Sequence, residues 1–152
     1  MVADAEILAV IDSAFGDAPR PEHFTNYTHC EECAEHDELL RNRDRNTLQR
    51  SDVNNPGWDP ICFCSPEGLA YYMPALARFA LQEPLHELDW YGAQLLFHLY
   101  QGANYNEFFN FCSPSQRKSV AALLAHFVET RATLAEFEAD YLLRAHEIWS
   151  NG

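Results

Sequence analysis

The sequence predicts an all-α protein of five or six helices. Apolar residues recur at helical spacing along most of the chain, and two Ser-Pro pairs open periodic segments. The chain has 152 residues, of which 47% are hydrophobic and 13% aromatic. This composition is ordinary for one globular domain and unlike that of a disordered chain. We therefore expect a single helical domain over residues 1–152, with a loop-rich segment at 44–64.

The first two helices are predicted from apolar spacing and from a capping pattern. One apolar face follows the i, i+3, i+4, i+7 rule and ends before Gly16, a typical stop residue. Its residues are Ile7, Leu8, Ile11, Ala14 and Phe15. After a proline-containing loop at 17–27, Thr28 and Glu31 have the spacing of a capping box. This pattern predicts a second helix from near Thr28 to about Arg43.

The segment at 44–64 is the least regular part of the chain. Residues 54–57 read Asn-Asn-Pro-Gly, which is typical of a turn. A short extended piece is expected at 58–64. Little regular structure is therefore predicted between the second helix and the next start signal.

The third helix is predicted from Ser65, whose hydroxyl can cap it while Pro66 takes the first helical position. Pro74 falls opposite the apolar stripe of this helix and is expected to bend it, because proline removes one backbone hydrogen bond. Pro84 ends the helix. A fourth helix, rich in apolar residues, is predicted at 88–101.

The C-terminal part begins with an aromatic connector at 104–112. Ser113 and Gln116 then form a second capping box. From there to Trp149 no Gly or Pro occurs and the apolar stripe stays in phase, which favours one helix. A straight helix of this span would be ~54 Å long at ~1.5 Å per residue, longer than such a domain is wide, which favours a break near 130–133. The total is therefore five helices or six.

The chain is strongly acidic, with 23 Asp and Glu against 10 Lys and Arg and a formal net charge of −13. Nucleic acid and anionic membrane are excluded as ordinary partners, because both are bound through basic side chains. No apolar stretch approaches the roughly 18 residues of a membrane span. The five cysteines, an odd number without a secretion signal, predict reduced thiols in a cytoplasmic protein. The acidic surface suits a basic protein partner.

The densest chemistry lies at 29–37, which holds two cysteines, two histidines and several acids. At about 100° per residue the thiols and imidazoles fall on one helix face. Thiolate and imidazole are ligands of Zn²⁺, which usually takes four in a structural site. The predicted zinc ligands are Cys30, Cys33, Cys62 and Cys64, with His29 and His36 as alternatives. Zinc there would organise the loop at 44–64 and could act catalytically.

Two other interpretations of the paired cysteines stay open. Cys33 shares a helix face with Asp37 and Leu40, and free cysteines are commonly core residues. In a redox pair, Cys30 would lie in the first turn, where the helix dipole lowers a thiol pKa, and Cys33 would resolve the mixed disulfide. The neighbouring glutamates are expected to oppose that effect by raising the thiol pKa. No βαβ pattern precedes the motif, which disfavours a thioredoxin-type protein.

No catalytic motif is recognisable elsewhere. A Gly-rich phosphate loop, Gly-x-Ser-x-Gly and His-Glu-x-x-His are all missing from the sequence. Single helical histidines, His98, His126 and His146, are interpreted as surface or core residues rather than as ligands. We therefore assign no catalytic residues, and we favour a non-enzymatic binding protein over a zinc protein.

Four motifs occur in a fixed order along residues 28–149. They are Cys-x-x-Cys at Cys30 and Cys33, Ser-Pro-Glu-x-x-x-Tyr-Tyr-x-Pro-Ala at 65–75, Ser-x-x-Gln at 113–116, and a terminal Trp149. In this order the chain resembles a bacterial family of small proteins of unknown function. That family ends on two aromatics, whereas here Ile148 precedes the tryptophan. The resemblance implies one helical domain and carries no activity.

Overall fold

The part of the chain that the structure describes forms seven α-helices and no strand. The structure is a computed structural model that describes residues 2–86, 89–101 and 105–151. The helices are α1 (Asp4–Phe15), α2 (Glu31–Arg41), α3 (Pro66–Leu81), α4 (Tyr91–Leu99), α5 (Glu107–Phe111), α6 (Pro114–Thr130) and α7 (Ala139–Ser150). The all-α prediction is confirmed. The seventh helix is the short α5, which forms within the predicted aromatic connector. Leu88 and Asn104, the predicted first residues of the fourth helix and of that connector, lie outside the described residues.

Helix α3 lies at the centre of the fold. It begins as predicted, with the Ser65 hydroxyl accepting the Gly68 N–H at 3.1 Å and Pro66 in the first position. Most of its residues are buried, and Pro74, predicted to fall opposite the apolar stripe, is buried as well. A helix that is apolar on all sides belongs inside a bundle, and α3 contacts α1, α4 and α5.

The C-terminal segment is two helices, with the break at the predicted place. Helix α6 starts on the Ser113–Gln116 capping box and ends at Thr130, and α7 follows after a short 3₁₀ turn. The Arg131 side chain at the break binds Asp4 at 2.8 Å and the Leu81 carbonyl at 2.9 Å. These bonds join the end of α6 to the start of α1 and the end of α3. The break lets α7 fold back onto α6.

The segment at 44–64 contains three short 3₁₀ helices: Arg50–Val53, Pro56–Trp58 and Pro60–Phe63. The extended piece expected at 58–64 was wrong. The side chains of Asn55 and Asp59 each accept the backbone N–H two residues ahead, at 2.9 Å, and a proline follows each of them. An Asx cap followed by proline favours a tight turn over a strand.

Arginine side chains hold the ends of three helices. Arg20 donates to the Leu40 and Arg41 carbonyls at the end of α2, Arg45 to two carbonyls at the end of α1, and Arg131 to the end of α3. Cations are favourable there because the last carbonyls of a helix lack partners and carry partial negative charge. Three of the ten basic side chains are thus engaged by helix-end carbonyls. A basic protein partner stays a prediction.

No helix of the described residues is both long enough and apolar enough to cross a bilayer. The buried apolar side chains of the described residues form one core cluster, to which α1, α3, α4, α6 and α7 all contribute. Helix α2 adds Leu40 to this core and contacts the third 3₁₀ helix, Pro60–Phe63. That contact brings the two cysteine-containing segments, 30–33 and 62–64, onto neighbouring elements.

Candidate functional site

Helix α2 begins at Glu31, and its N-cap is Cys30 rather than the predicted Thr28. The Cys30 backbone is extended, and its sulfur accepts the Cys33 N–H at 3.4 Å. Residues 26–29 form a turn of their own, closed by the His29 N–H on the Asn26 carbonyl at 3.0 Å. The Thr28 hydroxyl bonds to the Asn26 side chain at 3.2 Å instead of the helix. The turn thus moves the cap two residues along and places a thiol on it.

Three donor atoms converge at this helix start. The sulfurs of Cys30 and Cys33 lie 3.3 Å apart, and the Cys33 sulfur lies 3.7 Å from Nδ1 of His29. All three atoms fall within 4.8 Å of one another. His29 and Cys30 are exposed, whereas Cys33 is buried. We call these three residues the helix-start group.

The two thiols of the helix-start group differ in acidity. The backbone N–H of Cys33, helped by contacts with the His29 and Cys33 side chains, lowers the pKa of Cys30 to about 7. The hydrogen bond with Cys30, followed by burial, raises the pKa of Cys33. The Glu32 charge also raises the pKa of Cys33, as expected from the sequence. At Cys30 the donors in direct contact outweigh the charges along the helix. At pH 7 the Cys30 thiol is therefore about half ionised, and Cys33 is the thiol that stays protonated.

His36, the other histidine of the predicted set, lies apart from the helix-start group. Its ring is buried against Trp58 and Phe63, with ring centroids 4.7 and 4.9 Å away. Its Nε2 lies 3.2 Å from a Glu32 carboxylate oxygen. His36 therefore joins α2 to the 3₁₀ segment.

Asp37 ties the start of α2 to the loop before it. Its carboxylate accepts the backbone N–H groups of Phe24 and Thr25 at 2.6 and 3.2 Å and lies 2.7 Å from Nδ1 of His23. Burial raises its pKa, but the His23 contact and the two N–H bonds together outweigh burial and lower it. Asp37 is therefore a buried carboxylate whose charge is satisfied by the loop.

The surroundings of Cys62 and Cys64 differ from those of Cys30 and Cys33. Cys62 belongs to a second group of donors with Asp59 and His98, whose ligand atoms also fall within 4.8 Å of one another. We call it the cavity group, because its three residues line a cavity of about 400 Å³. Among the described residues no such group contains cysteines of both pairs.

The thiols near the cavity are weak acids. Burial, and then the Asp59 charge, raises the pKa of Cys62 to about 11. Burial raises the pKa of Cys64 further still. Without a cation beside them, both therefore remain protonated thiols at neutral pH.

His98 is a site residue that sequence reasoning missed, because it was interpreted as a surface or core residue. Its side chain is only 6% exposed, and its Nε2 lies 3.7 Å from an Asp59 carboxylate oxygen. The Asp59-Pro60 pair could have indicated an inward-turned aspartate, because such pairs start turns. No local pattern links that turn to a histidine on α4. The described residues thus contain two groups of donors that could hold a metal ion.

The comparisons with known proteins bear on family rather than on activity. The sequence model of a family of unknown function (DUF6714) matches residues 3–151 of the chain. The chain belongs to this family. The match confirms the resemblance to an uncharacterised family. No curated protein and no solved structure matches the chain, so a function has to be argued from the site.

Proposed function

We propose that the protein binds a zinc ion at the start of α2, with His29, Cys30 and Cys33 as ligands. The observation that carries the proposal is the convergence of one imidazole nitrogen and two sulfurs on a single turn. Their separations of 3.3 and 3.7 Å are close to the ~3.5 Å between ligands of a tetrahedral site with bonds of ~2.0–2.3 Å. Little movement is needed to place a metal ion among them.

The charge around the helix-start group supports a cation. A bound metal ion requires deprotonated thiols, and the Cys33 N–H already favours the Cys30 thiolate. Glu31 and Glu35 are exposed on the same helix, and their negative potential attracts a dication. A Zn²⁺ ion would neutralise both thiolates in a segment crowded with acids.

Three protein ligands leave one coordination position open, as in catalytic zinc sites. His29 and Cys30 are exposed, so this position faces solvent. It would hold a water molecule or a donor atom from a partner. The proposal is compatible with the binding role expected from the sequence and also with hydrolytic chemistry.

The four-thiolate version of the site, with Cys62 and Cys64 as further ligands, would require a larger conformational change. Cys62 would have to leave Asp59 and His98 and approach Cys30 and Cys33. It would do so across the contact that His36 makes with Trp58 and Phe63. We therefore favour the three-ligand site.

Zinc content of the purified full chain tests the proposal. After expression in zinc-containing medium and desalting, the wild type is expected to hold about one more zinc per chain than Cys33→Ala. Cys112→Ala is the matched control, because Cys112 is a buried cysteine that belongs to the core and to neither donor group. Equal zinc in the wild type and in the Cys30→Ala/Cys33→Ala double variant would overturn the proposal.

A second candidate function, dithiol–disulfide exchange, is favoured by one observation: an exposed thiol lies 3.3 Å from a buried one. The Cys30 thiolate would attack a substrate disulfide and release one thiolate. Cys33 would then attack Cys30, which releases the second. The two electrons and two protons that the Cys30–Cys33 dithiol loses pass to the substrate. The protein is left with a disulfide, and the substrate leaves as two thiols.

The reaction of metal-free protein with oxidised glutathione distinguishes dithiol–disulfide exchange from zinc binding. With oxidised glutathione, exchange predicts an internal Cys30–Cys33 disulfide, seen by mass spectrometry as the loss of two hydrogen atoms. Zinc would suppress that product if the same thiols bind it. A glutathione adduct on Cys30 that persists for hours, without resolution by Cys33, would exclude the exchange function and leave the zinc proposal intact.

A further inference from the structure

The cavity group is a second place where metal-binding donors meet, and it is unrelated to the start of α2. Its residues come from the turn at 59–62 and from α4. The cavity that they line has a volume of about 400 Å³ and is also bounded by Phe97 and Ala93. The site is therefore a recess with both apolar and donor walls.

Asp59 enters this recess as a buried carboxylate. It is 2% exposed, and one of its oxygens accepts the Ile61 N–H at 2.9 Å. The other oxygen accepts the Gln94 side-chain amide at 3.1 Å. These two donors hold the carboxylate in place, yet neither carries the positive charge that a buried anion needs.

His98 faces the same carboxylate without completing a hydrogen bond. Its Nε2 lies 3.7 Å from the Asp59 oxygen, beyond hydrogen-bond distance, and has no hydrogen-bond partner among the described residues. An unpartnered ring nitrogen in a nearly buried side chain is costly. One ring nitrogen of His98 also lies within 4.8 Å of both the Asp59 oxygen and the Cys62 sulfur.

This arrangement favours a metal ion over a nucleophilic triad. In a Cys-His-Asp triad the thiol and the acid engage opposite nitrogens of the imidazole. Here a single nitrogen faces both. Three donor atoms within 4.8 Å of one another, one on a buried carboxylate and one an unpartnered ring nitrogen, suit a metal ion.

We propose that Asp59, Cys62 and His98 bind a divalent transition metal ion of the Zn²⁺ class. Mixed oxygen, sulfur and nitrogen donors suit Zn²⁺, Co²⁺ and Fe²⁺ better than the oxygen-seeking Mg²⁺ or Ca²⁺. The ligands would close from at most 4.8 Å to the ~3.5 Å of a tetrahedral site. Cys62 lies on a 3₁₀ turn and does not belong to the core cluster. The open position would face the cavity, whose Phe97 and Ala93 walls admit a small ligand with an apolar body.

Cobalt binding in a background without the helix-start group tests this site. The full-length Cys30→Ala/Cys33→Ala variant, stripped of metal and reduced, is titrated with Co²⁺. Absorption then reports the coordination geometry and a single thiolate-to-cobalt charge-transfer band. We expect one equivalent to bind and Zn²⁺ to displace it. His98→Gln in this background is expected to weaken binding by more than the ~100-fold that loss of an outer-shell partner costs.

Two further variants keep the result interpretable. His86→Gln is the matched control, because His86 is exposed and belongs to neither donor group, and it should bind as the background does. If His98→Gln fails to fold by circular dichroism, Cys62→Ala replaces it, because Cys62 does not belong to the core cluster. A folded background that binds no cobalt, or that binds it equally after either substitution, would overturn the proposal. Neither outcome touches the zinc proposal, because the background lacks two of its three ligands, Cys30 and Cys33.

Discussion

The helix-start group and the cavity group use similar donors, but they are assembled differently. His29, Cys30 and Cys33 lie on one turn of chain, and two of them are exposed. The cavity group joins a 3₁₀ turn to α4, and Asp59 and the His98 side chain are almost fully buried. The first depends on where a helix begins, whereas the second depends on how distant elements pack.

This difference has consequences for stability and for chemistry. A local group persists as long as its turn persists, and it exchanges ligands readily with solvent. A group built from distant elements stabilises their packing when it binds metal, because the unfolded chain has no such site. His36, packed on Trp58 and Phe63, is the contact through which one region can influence the other.

The largest loss of stability is expected when Asp37 is changed to Asn. This substitution tests whether the helix-start group depends on structure outside its own turn. The substitution removes a buried charge that accepts two backbone N–H groups and faces His23. We expect unfolding free energy to fall by ~2–3 kcal/mol, as for hydrogen bonds to a charged group. Urea denaturation measures this loss. Because Cys30 and Cys33 share their own turn, zinc at that turn should survive in the folded variant.

Asp17→Asn is the control for this substitution, because Asp17 is exposed and a surface change should stay within ~0.5 kcal/mol. Equal stability of the two variants would show that the Asp37 bonds contribute nothing net. Loss of zinc from folded Asp37→Asn would show that the helix-start group depends on the loop at 23–25. It would then be less local than its spacing in the sequence indicates.

The same contrast explains what could be predicted from the sequence. Both Ser-Pro helix starts were predicted correctly, because caps act over three or four residues. One helix or two was left open for residues 114–149, but the place of the break was predicted, because helix length is limited by domain size. Cys30 and Cys33 were paired in the prediction because i, i+3 neighbours share a helix face. In the structure Cys30 is instead the extended N-cap, and its sulfur meets Cys33 as a cap. Features that a few consecutive residues determine were therefore accessible.

Features that depend on competition or on distant packing were not accessible. Thr28 has the pattern of a cap, yet its hydroxyl binds Asn26 and the cap passes to Cys30. The pairing of Asp59 with His98 joins residues that share no periodicity. Only the packing of α4 against the 3₁₀ turns brings them together.

A smaller loss of stability is expected when Asp4 is changed to Asn. Asp4 lies outside both donor groups, so this substitution tests the stability of the fold independently of metal binding. Bonds from Arg131, and then from His126, lower the pKa of Asp4 from 3.8 to about 2. A carboxyl whose pKa is lower in the folded state stabilises the fold above its ordinary pKa, and this contribution is lost as the pH falls from about 4 to about 2. Because the side chain is 45% exposed, we expect only ~1 kcal/mol after solvent screening.

Asp4→Asn should therefore be ~1 kcal/mol less stable than the wild type at pH 7, and the difference should shrink towards pH 2. Denaturation at a series of pH values measures both, and metal content should not change. Glu6→Gln is the control, because this exposed acid lies in the same first turn of α1. A constant difference between wild type and Asp4→Asn down to pH 2 would rule out the Arg131 and His126 bonds as its cause.

The smallest change in stability and in zinc content is expected for Cys64→Ala. This variant tests whether the two donor groups bind metal separately. Cys64 belongs to neither donor group, so Cys64→Ala should keep the wild-type zinc content and lose less than ~1 kcal/mol of stability, as for a minor truncation. Cys62→Ala is the matched comparison, because it should remove only the metal of the cavity group. If Cys64→Ala instead loses the same zinc as Cys33→Ala, the four thiols bind one ion together. In that case the 3₁₀ segment must rearrange on metal binding, and the contrast between a local and a long-range site disappears.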